Sequence, residues 1–426
     1  MMNEAPFKSL LSNIVDNRGK TCPVAESGIP LIATNCVKNT TLYPVFEKIR
    51  YVAPDTYRSW FRGHPEPGDM IFVTKGSPGE ICWVPDPVGF CIAQDMVAIR
   101  ANDKKIYPKY LFAALRSPRV KHDIDNMHVG TLIPHFKKGD FDKLTIPLPD
   151  RPTQEATGDL HFALCEKIEL NRRMNATLEA MARAIFKDWF VDFGPTRAKT
   201  EGRPPYLAPD LWAFFPDALD DDDKPVGWEF STLAAVAALN PESWSRANAP
   251  EEIKYVDLAN TKWGVIESTQ RHAWAKAPSR AQRILRPGDT IVGTVRPGNG
   301  SYAFIGEDGL TGSTGFAVLR PIHARFREFI YLAATSAENI ERLSHLADGA
   351  AYPAVRPDVV AERAVTLPSE TVMDGFSRLA TPLVERWEAN KRECHTLAQI
   401  RDLLLPKLMS GEIRLREAEK AVEAVA

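Results

Sequence analysis

Hydrophobic and polar positions follow two different periods along this chain. Short alternating runs, such as Met70–Val73 and residues 81–84, are bounded by glycine and proline, a pattern typical of strands and turns. A short helix is predicted over residues 110–116. Two longer stretches have a helical period instead. The pattern therefore predicts two mixed regions of strands and helices, each followed by a long helix.

Apolar residues recur every seven positions in both long stretches. Heptads in two helices predict that the helices pair as a coiled coil. The seam residues are Leu164, Asn171, Leu178, Ile185 and Trp189 in the first helix, and Leu383, Asn390, Leu397 and Leu404 in the second. An asparagine at a seam position is either buried, where it specifies register, or on a solvated flank, and the sequence leaves both open. Pro406 and Gly411 are predicted to stop the second helix.

The two halves of the chain also repeat one another. Pro67-Gly68-Asp69 recurs as Pro287-Gly288-Asp289, and Val97-Ala98-Ile99-Arg100 recurs as Ala317-Val318-Leu319-Arg320. The units of a solenoid are much shorter than this repeat. The repeat therefore predicts two similar domains with pseudo-two-fold symmetry, a design that suits a bipartite target.

Composition narrows the class of protein. Hydrophobic residues make up 44% and charged residues 25% of 426 residues, as in ordinary globular proteins. The six cysteines contain no C-x-x-C pair, which argues against a zinc site or a disulfide framework and fits a reducing cytoplasm. No apolar run approaches the length of a membrane helix, and no signal peptide is visible. With a net charge of -2, any DNA-binding surface must be local, or partners must supply part of the positive charge.

A basic and aromatic stretch precedes each Pro-Gly-Asp turn, and Arg or Lys there could contact phosphates or guanine edges. The candidates are Lys48, Arg50, Arg58 and Arg62 in the first stretch, and Arg271, Lys276, Arg280, Arg283 and Arg286 in the second. Loops after the paired strands add Lys75, Arg296 and Asn299. A third set is Arg116, Arg119, Lys121, His135, Lys137 and Lys138. The alternative is that the aromatic residues belong to the core and the basic residues form a solvated rim.

Catalytic signatures are absent from the sequence. Asn240-Pro241-Glu242-Ser243 lacks the second proline and the aromatic residue of an adenine methyltransferase loop. Gly298-Asn299-Gly300 resembles part of a nucleotide-binding fingerprint, but it does not open a predicted helix. A hairpin loop is the better interpretation of that segment. No metal site is predicted.

Several segments resemble the specificity subunits of type I restriction–modification systems. They are residues 184–193 (AIFKDWFVDF), 403–413 (LLLPKLMSGEI), Phe215-Pro216-Asp217, Gly227-Trp228 and residues 239–244 (LNPESW). The two Pro-Gly-Asp turns resemble the strand entry of that family's recognition domains. The resemblance extends over essentially the whole chain, with the segments in the family's order and spacing.

The resemblance implies an α/β (α+β) fold of two target recognition domains, joined by two long antiparallel helices that form a coiled-coil spacer. The expected parts are a first recognition domain over 1–152, a central helix over 153–193, a linker over 194–226, a second recognition domain over 227–369, a closing helix over 370–412 and a tail over 413–426. The acidic run within the linker is expected to be a solvated loop.

By the same resemblance, the chain would be a non-catalytic subunit in a bacterial or archaeal cytoplasm. It would read a bipartite site in double-stranded DNA and dock two methyltransferase subunits through its helices, and restriction or translocase subunits could join. S-adenosylmethionine, ATP and Mg²⁺ would belong to those partners, and the chain itself would bind no cofactor. Two other hypotheses stay open: a methyltransferase or endonuclease in its own right, and a scaffold or antirestriction-like module that binds the methyltransferase without reading DNA.

Overall fold

The structure, a computed structural model, describes residues 3–17, 19, 21–127, 133–349, 352–413, 417, 418 and 420. The chain divides into two compact units. The first unit comprises residues 1–173 and 390–426, and the second comprises residues 174–389. Most of the predicted tail, residues 413–426, lies outside the described residues.

The first unit begins with a domain of short strands and helices. Its strands are β1 (Glu4–Pro6), β2 (Leu11–Val15), β3 (Ile29–Ile32), β4 (Arg50–Val52), β5 (Met70–Val73), β6 (Ile81–Trp83), β7 (Cys91–Ile92), β8 (Met96–Ala101) and β9 (Thr145–Pro147). Its helices are α1 (Pro54–Ser59), α2 (Pro108–Arg116) and α3 (Pro118–Met127). The predicted strands are present as β5 and β6, and the predicted short helix is present as α2.

The second unit contains a domain of the same kind. The long helix α4 (Arg151–Phe190) precedes α5 (Gly194–Thr200) and α6 (Pro209–Trp212). The strands are β10 (Glu229–Thr232), β11 (Ala237–Leu239), β12 (Glu252–Val256), β13 (Thr261–Lys262), β14 (Val265–Ile266), β15 (Gln270–Ala273), β16 (Ala281–Leu285), β17 (Thr290–Gly293), β18 (Tyr302–Phe304), β19 (Leu310–Ser313), β20 (Phe316–Pro321) and β21 (Ala364–Leu367). The later helices are α7 (Arg327–Ala334), α8 (Ala337–Leu346), α9 (Pro357–Ala361) and α10 (Glu370–Ser410).

The two domains share one sheet topology. The sheet β2-β8-β5-β6 of the first domain corresponds to β11-β20-β17-β18 of the second, and the pair β1-β9 corresponds to β10-β21. In the smaller sheets, β3 runs parallel to β7, as β12 runs parallel to β19. The second domain extends its smaller sheet by β16. The repeat in the sequence is thus a repeat of strand order, including the parallel pair.

Burial explains why the central strands are apolar without alternation. Every residue of β5 and β17 is buried, because both faces of these strands are covered. Helix α2 packs Leu111 and Phe112 into the core of the first domain, and α7 packs Phe329 and Ile330 into the core of the second.

The long helices contact each other within each unit. In the first unit, Leu164 of α4 packs with Leu397 of α10, and the Asn171 amide donates to Glu393 Oε2 at 2.9 Å. In the second unit, the Asn175 amide donates to the Trp387 carbonyl at 3.2 Å. Residue numbers rise along one helix as they fall along the other, so the contacting segments are antiparallel within each unit.

The seam asparagines are buried, with Asn171 0% and Asn390 1% exposed. The interpretation that placed them on a solvated flank is therefore wrong. Among the described residues, none of the helices combines the length and the hydropathy that a membrane span needs.

Two expectations need correction. The segment 194–226, expected to be a linker, includes α5 and α6 and buries Leu211 and Phe215 beside Trp189. Its acidic run, Asp221 to Asp223, is exposed as expected. Pro406 does not stop α10, which continues to Ser410 because apolar side chains on both sides of the proline are buried. Gly411 does end the helix, with a left-handed φ of 74°.

Candidate nucleic-acid interface

The repeated Pro-Gly-Asp turns are anchors of the fold. Buried Asp69 accepts hydrogen bonds from Arg100 Nε at 2.7 Å and Nη2 at 3.1 Å. Buried Asp289 accepts from Arg320 Nε at 2.8 Å and Nη2 at 2.9 Å. The aspartate hydrogen bond raises the pKa of each arginine. Each aspartate immediately precedes a central strand, β5 in the first domain and β17 in the second. The loops that carry Lys75, Arg296 and Asn299 follow the other end of the same strands.

The first basic stretch lies on β4, α1 and the segments beside them. Its four candidates, Lys48, Arg50, Arg58 and Arg62, are all exposed. Two of them have partners within the chain, because Arg58 pairs with Asp55 at 3.3 Å and Arg62 Nη1 donates to the Asp16 carbonyl at 3.3 Å.

The aromatic residues of this stretch serve the core. Tyr57, Trp60 and Phe61 pack against buried Val52 and its neighbours. The alternative interpretation is therefore correct for the rings, while the cations form an accessible rim.

The second basic stretch lies on β15, β16 and the turn between them. Arg271, Lys276 and Arg280 are exposed. Arg283 is half-buried, and burial lowers the pKa of its guanidinium. Arg286 pairs with Glu242 at 3.2 Å and with Asp308 at 3.4 Å. Trp274 is partly buried against Ile253, so this stretch also divides into a core ring and surface cations.

The structure brings Lys75 into a cavity of about 670 Å³ at the end of β5. The cavity is lined by Asp16, Gly19, Thr21, Thr74, Lys75, Gln94, Asp95, His135, Lys137 and Lys138. Lys75 lies 3.8 Å from Asp95, and Lys138 lies 3.4 Å from Asp16. Lys75 belongs to the loop candidates, and His135, Lys137 and Lys138 belong to the third candidate set. The structure therefore brings residues from two separate candidate sets to one polar site.

The other members of the third set have structural partners. Arg116 is half-buried, stacks on Phe112 at 4.6 Å and donates to the Thr41 carbonyl at 2.7 Å, so its guanidinium is engaged in the fold of the first domain. Arg119 pairs with Glu4, and Lys121 pairs with Glu80 at 3.1 Å.

Arg296 and Asn299 lie in the turn between β17 and β18. These two strands pair as a hairpin, so the hairpin interpretation of this segment is confirmed. The Arg296 guanidinium lies 4.9 Å from the centre of the Tyr352 ring. Trp263 also contacts this turn, since its backbone N–H donates to the Gly300 carbonyl at 2.7 Å.

Sequence reasoning missed Trp263 and Tyr352. Two signals could have found them: the Trp263-Gly264 pair, which suits a two-residue turn, and the tyrosine directly before Pro353, which is the counterpart of Pro134 in the repeat.

The seam residues lie inside the chain. Leu164, Asn171, Trp189, Asn390, Leu397 and Leu404 are buried, and Leu178, Ile185 and Leu383 are partly buried against the core of the second unit. The six buried seam residues are therefore not available to dock a partner, and docking through the three partly buried ones stays a prediction. Leu170, Met181 and Leu403 of the same helices are exposed instead. Within the described residues, no three His, Cys, Asp or Glu side chains gather as a metal site would require.

Comparisons with known proteins find similarity to one kind of protein, the specificity subunits of type I restriction enzymes. Residues 63–180 match the type I restriction modification DNA specificity domain. The chain is 24% identical over 401 residues to the type I restriction enzyme HindI specificity subunit of Haemophilus influenzae, covering 81% of this chain and 86% of that one. It is 23% identical over 352 residues to the MjaIX specificity subunit of Methanocaldococcus jannaschii, covering 78% and 76%.

The fold also matches a solved structure. The type I restriction–modification S subunit from M. genitalium superposes with a TM-score of 0.54 at 15% identity, covering 96% of both chains. That likeness concerns the fold alone. In sequence, the chain is similar to specificity subunits of type I restriction–modification systems.

Proposed function

We propose that this chain is the DNA-recognition subunit of a type I restriction–modification complex, with each domain contacting one half of a split site. The observation that carries the proposal is the repetition of one strand order and one buried Asp–Arg pair in two separate units. Two equivalent bodies on one chain suit two half-sites. The names of the relatives, which are specificity subunits, support the same conclusion.

The DNA contacts are proposed at the loop ends of the central strands and on the exposed rims. In the first domain, Lys75, Lys137 and Lys138 line one polar cavity, where they could bind backbone phosphates or the edges of bases. Arg50 and Arg271 are exposed on equivalent small sheets and extend each surface. Because the chain's net charge is -2, such local clusters, together with any charge that partner subunits add, supply the attraction to DNA.

The long helices are proposed to act as the spacer between the half-sites. Antiparallel contacts between α4 and α10 occur in each unit, and the buried seam asparagines would fix their register. A coiled-coil spacer of this kind would set the separation of the half-sites. Two sites held at a fixed distance bind as a multivalent pair when the DNA spacing matches.

As a specificity subunit the chain is non-catalytic, and base flipping and methyl transfer would take place in partner subunits. We propose two methyltransferase subunits as partners, with restriction subunits where the system has them, in a bacterial or archaeal cytoplasm. S-adenosylmethionine, ATP and Mg²⁺ would be bound by those partners. The exposed apolar residues Leu170, Met181 and Leu403 are the proposed docking points on the helices.

Methylation mapping tests the proposal. Long-read sequencing would compare a host that expresses this chain with its methyltransferase against a host that expresses the methyltransferase alone. A split motif, methylated on both strands only when this chain is present, is the expected result. An assembled complex without any new motif would instead favour a scaffold that binds the methyltransferase without reading DNA.

A further inference from the structure

An exposed cluster of two aromatic residues and an arginine lies at the end of the central hairpin of the second domain. Trp263 is 58% and Tyr352 is 72% exposed, and Arg296 stacks on the Tyr352 ring. We propose that Trp263, Arg296 and Tyr352 form the base-contacting site of the second domain and determine which half-site it recognises. This inference rests on the proposed function and assigns it to particular side chains.

Backbone hydrogen bonds connect the segments that carry Trp263 and Tyr352 to the turn that carries Arg296. The Arg296 N–H donates to the Pro353 carbonyl at 2.7 Å, beside Tyr352. The Trp263 N–H donates to the Gly300 carbonyl at 2.7 Å, and the Asn299 N–H donates to the Arg296 carbonyl at 2.9 Å. The turn between β17 and β18 therefore connects both aromatic segments. A site fixed in this way on strands and tight turns is preorganised for a ligand.

Trp263 occupies a backbone position that tryptophan rarely adopts. It is the first residue of a two-residue turn between β13 and β14, with a φ of 47°, followed by Gly264 at 83°. Asparagine, aspartate and glycine are the residues that favour such turns. Arg296 also has a left-handed φ, of 48°. Strained non-glycine residues are concentrated at functional sites, and here the strain accompanies an indole that stays exposed.

Gly300 makes room for the indole. A Cβ atom at Gly300 would lie 2.6 Å from the Trp263 ring, so only glycine lets the ring lie over this backbone. The Trp263 ring thus lies against the backbone at Gly300, while more than half of the surface of Trp263 remains open to a partner.

The chemistry around the cluster favours DNA. Three segments meet at this turn, residues 258–266, 290–306 and 352–357, and none of them contains aspartate or glutamate. They carry Lys262, Arg296 and Arg356. Exposed aromatic side chains stack on bases or wedge between base steps, and arginine reads guanine edges. Acidic residues flank these segments, and Arg356 pairs with Asp358 at 2.8 Å. The exposed rings of Trp263 and Tyr352 beside Arg296 are nevertheless suited to a polyanion that presents flat rings.

The first domain has the same scaffold with other side chains. The Gly76 N–H donates to the Pro134 carbonyl at 2.9 Å, as the Arg296 N–H does to Pro353. Exposed Ile133 stands where the second domain has Tyr352, and Lys75 precedes Gly76. The two domains thus share a backbone arrangement at this turn but expose different side chains. Two domains that recognise different half-sites need such a difference.

The test uses the complex with its methyltransferase and four variants: Trp263→Ala, Arg296→Ala, Tyr352→Ala and Trp263→Asn. Each should lower the affinity for the native site at least tenfold and relax or abolish base preference in one half of the methylated motif only. Trp263→Asn should at the same time keep or raise the melting temperature, because asparagine suits a left-handed turn position. Loss of binding with undiminished stability separates a contact role from a folding role.

Phe230→Ala is the matched control. Phe230 is also an exposed aromatic residue of the second unit, 63% exposed, with the Lys224 ammonium 5.3 Å from its ring centre. This variant should retain the native motif and an affinity within twofold of the wild type.

Three outcomes would overturn the inference. Cluster variants with native motif and affinity would show that the site does not touch DNA. Cluster variants that fail to bind the methyltransferase, when Phe230→Ala still binds it, would make the cluster a protein-docking surface. If the unaltered complex methylates no specific motif, the proposed function itself fails and the inference fails with it.

Discussion

Asp69 and Arg100 form a bidentate ion pair, and Asp289 and Arg320 form the equivalent pair in the second domain. The aspartates end the repeated Pro-Gly-Asp turns, and the arginines end the second repeated motif. Two motifs that lie far apart in sequence are therefore one structural feature. Each pair joins the turn before the central strand to the strand beside it.

Asp69→Asn and Asp289→Asn should each lower the free energy of unfolding by about 2 kcal/mol, because a charged hydrogen-bond acceptor is lost at a buried site. The two effects should be similar, since the pairs are equivalent. Urea denaturation measures both. Asp55→Asn is the control, because its ion pair with Arg58 is exposed and should contribute less than about 0.5 kcal/mol. Equal effects at Asp55 and Asp69 would contradict the assignment of an anchor.

The cavity lysines of the first domain should control the salt dependence of DNA binding. In the assembled complex, Lys75→Ala combined with Lys137→Ala should weaken binding to all sequences. It should also reduce the slope of log K against log salt by about one to two, since each phosphate contact contributes about 0.9. Fluorescence anisotropy at several salt concentrations measures this slope. Lys104→Ala, on a turn outside the cavity lining, should leave the slope unchanged; an equal loss there would indicate only a general charge effect.

Seam and outward residues of α10 should have separate roles. Leu397→Ala should cost about 2–4 kcal/mol of stability, because it leaves a cavity in a buried cluster. Leu403→Ser changes an exposed position and should alter stability by less than about 0.5 kcal/mol. It should nevertheless weaken binding of the methyltransferase subunit, measured by calorimetric titration. Unchanged binding by Leu403→Ser would remove this face from the docking surface.

His161 should make the first unit less stable in mild acid. Burial, together with Arg116 and Arg401 nearby, holds the pKa of His161 well below its ordinary value of 6.5. The unfolded chain therefore takes up the proton first. Stability from the neutral ring is complete above pH 6.5 and falls below it, by about 1.4 kcal/mol per pH unit.

The His161→Gln variant should not show this contribution. Denaturation curves of both proteins between pH 7.5 and 5.5 would test it, because the other histidines are common to both. The difference in unfolding free energy between the proteins should shrink as the pH falls. Parallel stability profiles would mean that His161 accepts a proton in the folded chain.

Much of the fold was predictable because it depends on local patterns and on repetition. The apolar runs of β5 and β6, the heptads of α4 and α10, and the duplication all leave a direct mark on the sequence. The segment after α4 was misjudged because proline and glycine usually indicate a linker, whereas Leu211 and Phe215 find partners only in the folded unit. Pro406 was misjudged for a similar reason, since tertiary packing outweighs its local preference.

The candidate site was predictable only in part. Exposed cations such as Arg50 and Arg271 stand out against a chain of net charge -2. Sequence cannot show which cations are buried, and Arg116 proved to be structural. It also cannot show that Trp263, Arg296 and Tyr352 meet, because backbone bonds between distant segments bring them together.

The most direct test of the central claim lengthens both long helices by one heptad, between residues 173 and 174 and between residues 389 and 390. These points are opposite in the antiparallel contacts, which join Asn171 to Glu393 on one side and Asn175 to Trp387 on the other. Seven residues preserve the heptad phase and add about 10 Å of helix, equivalent to at most about three base pairs of DNA. Methylation mapping should then show the same bases in both half-sites, separated by a gap that is one to three base pairs longer. New bases in either half-site, or the native motif with its original gap, would contradict the account.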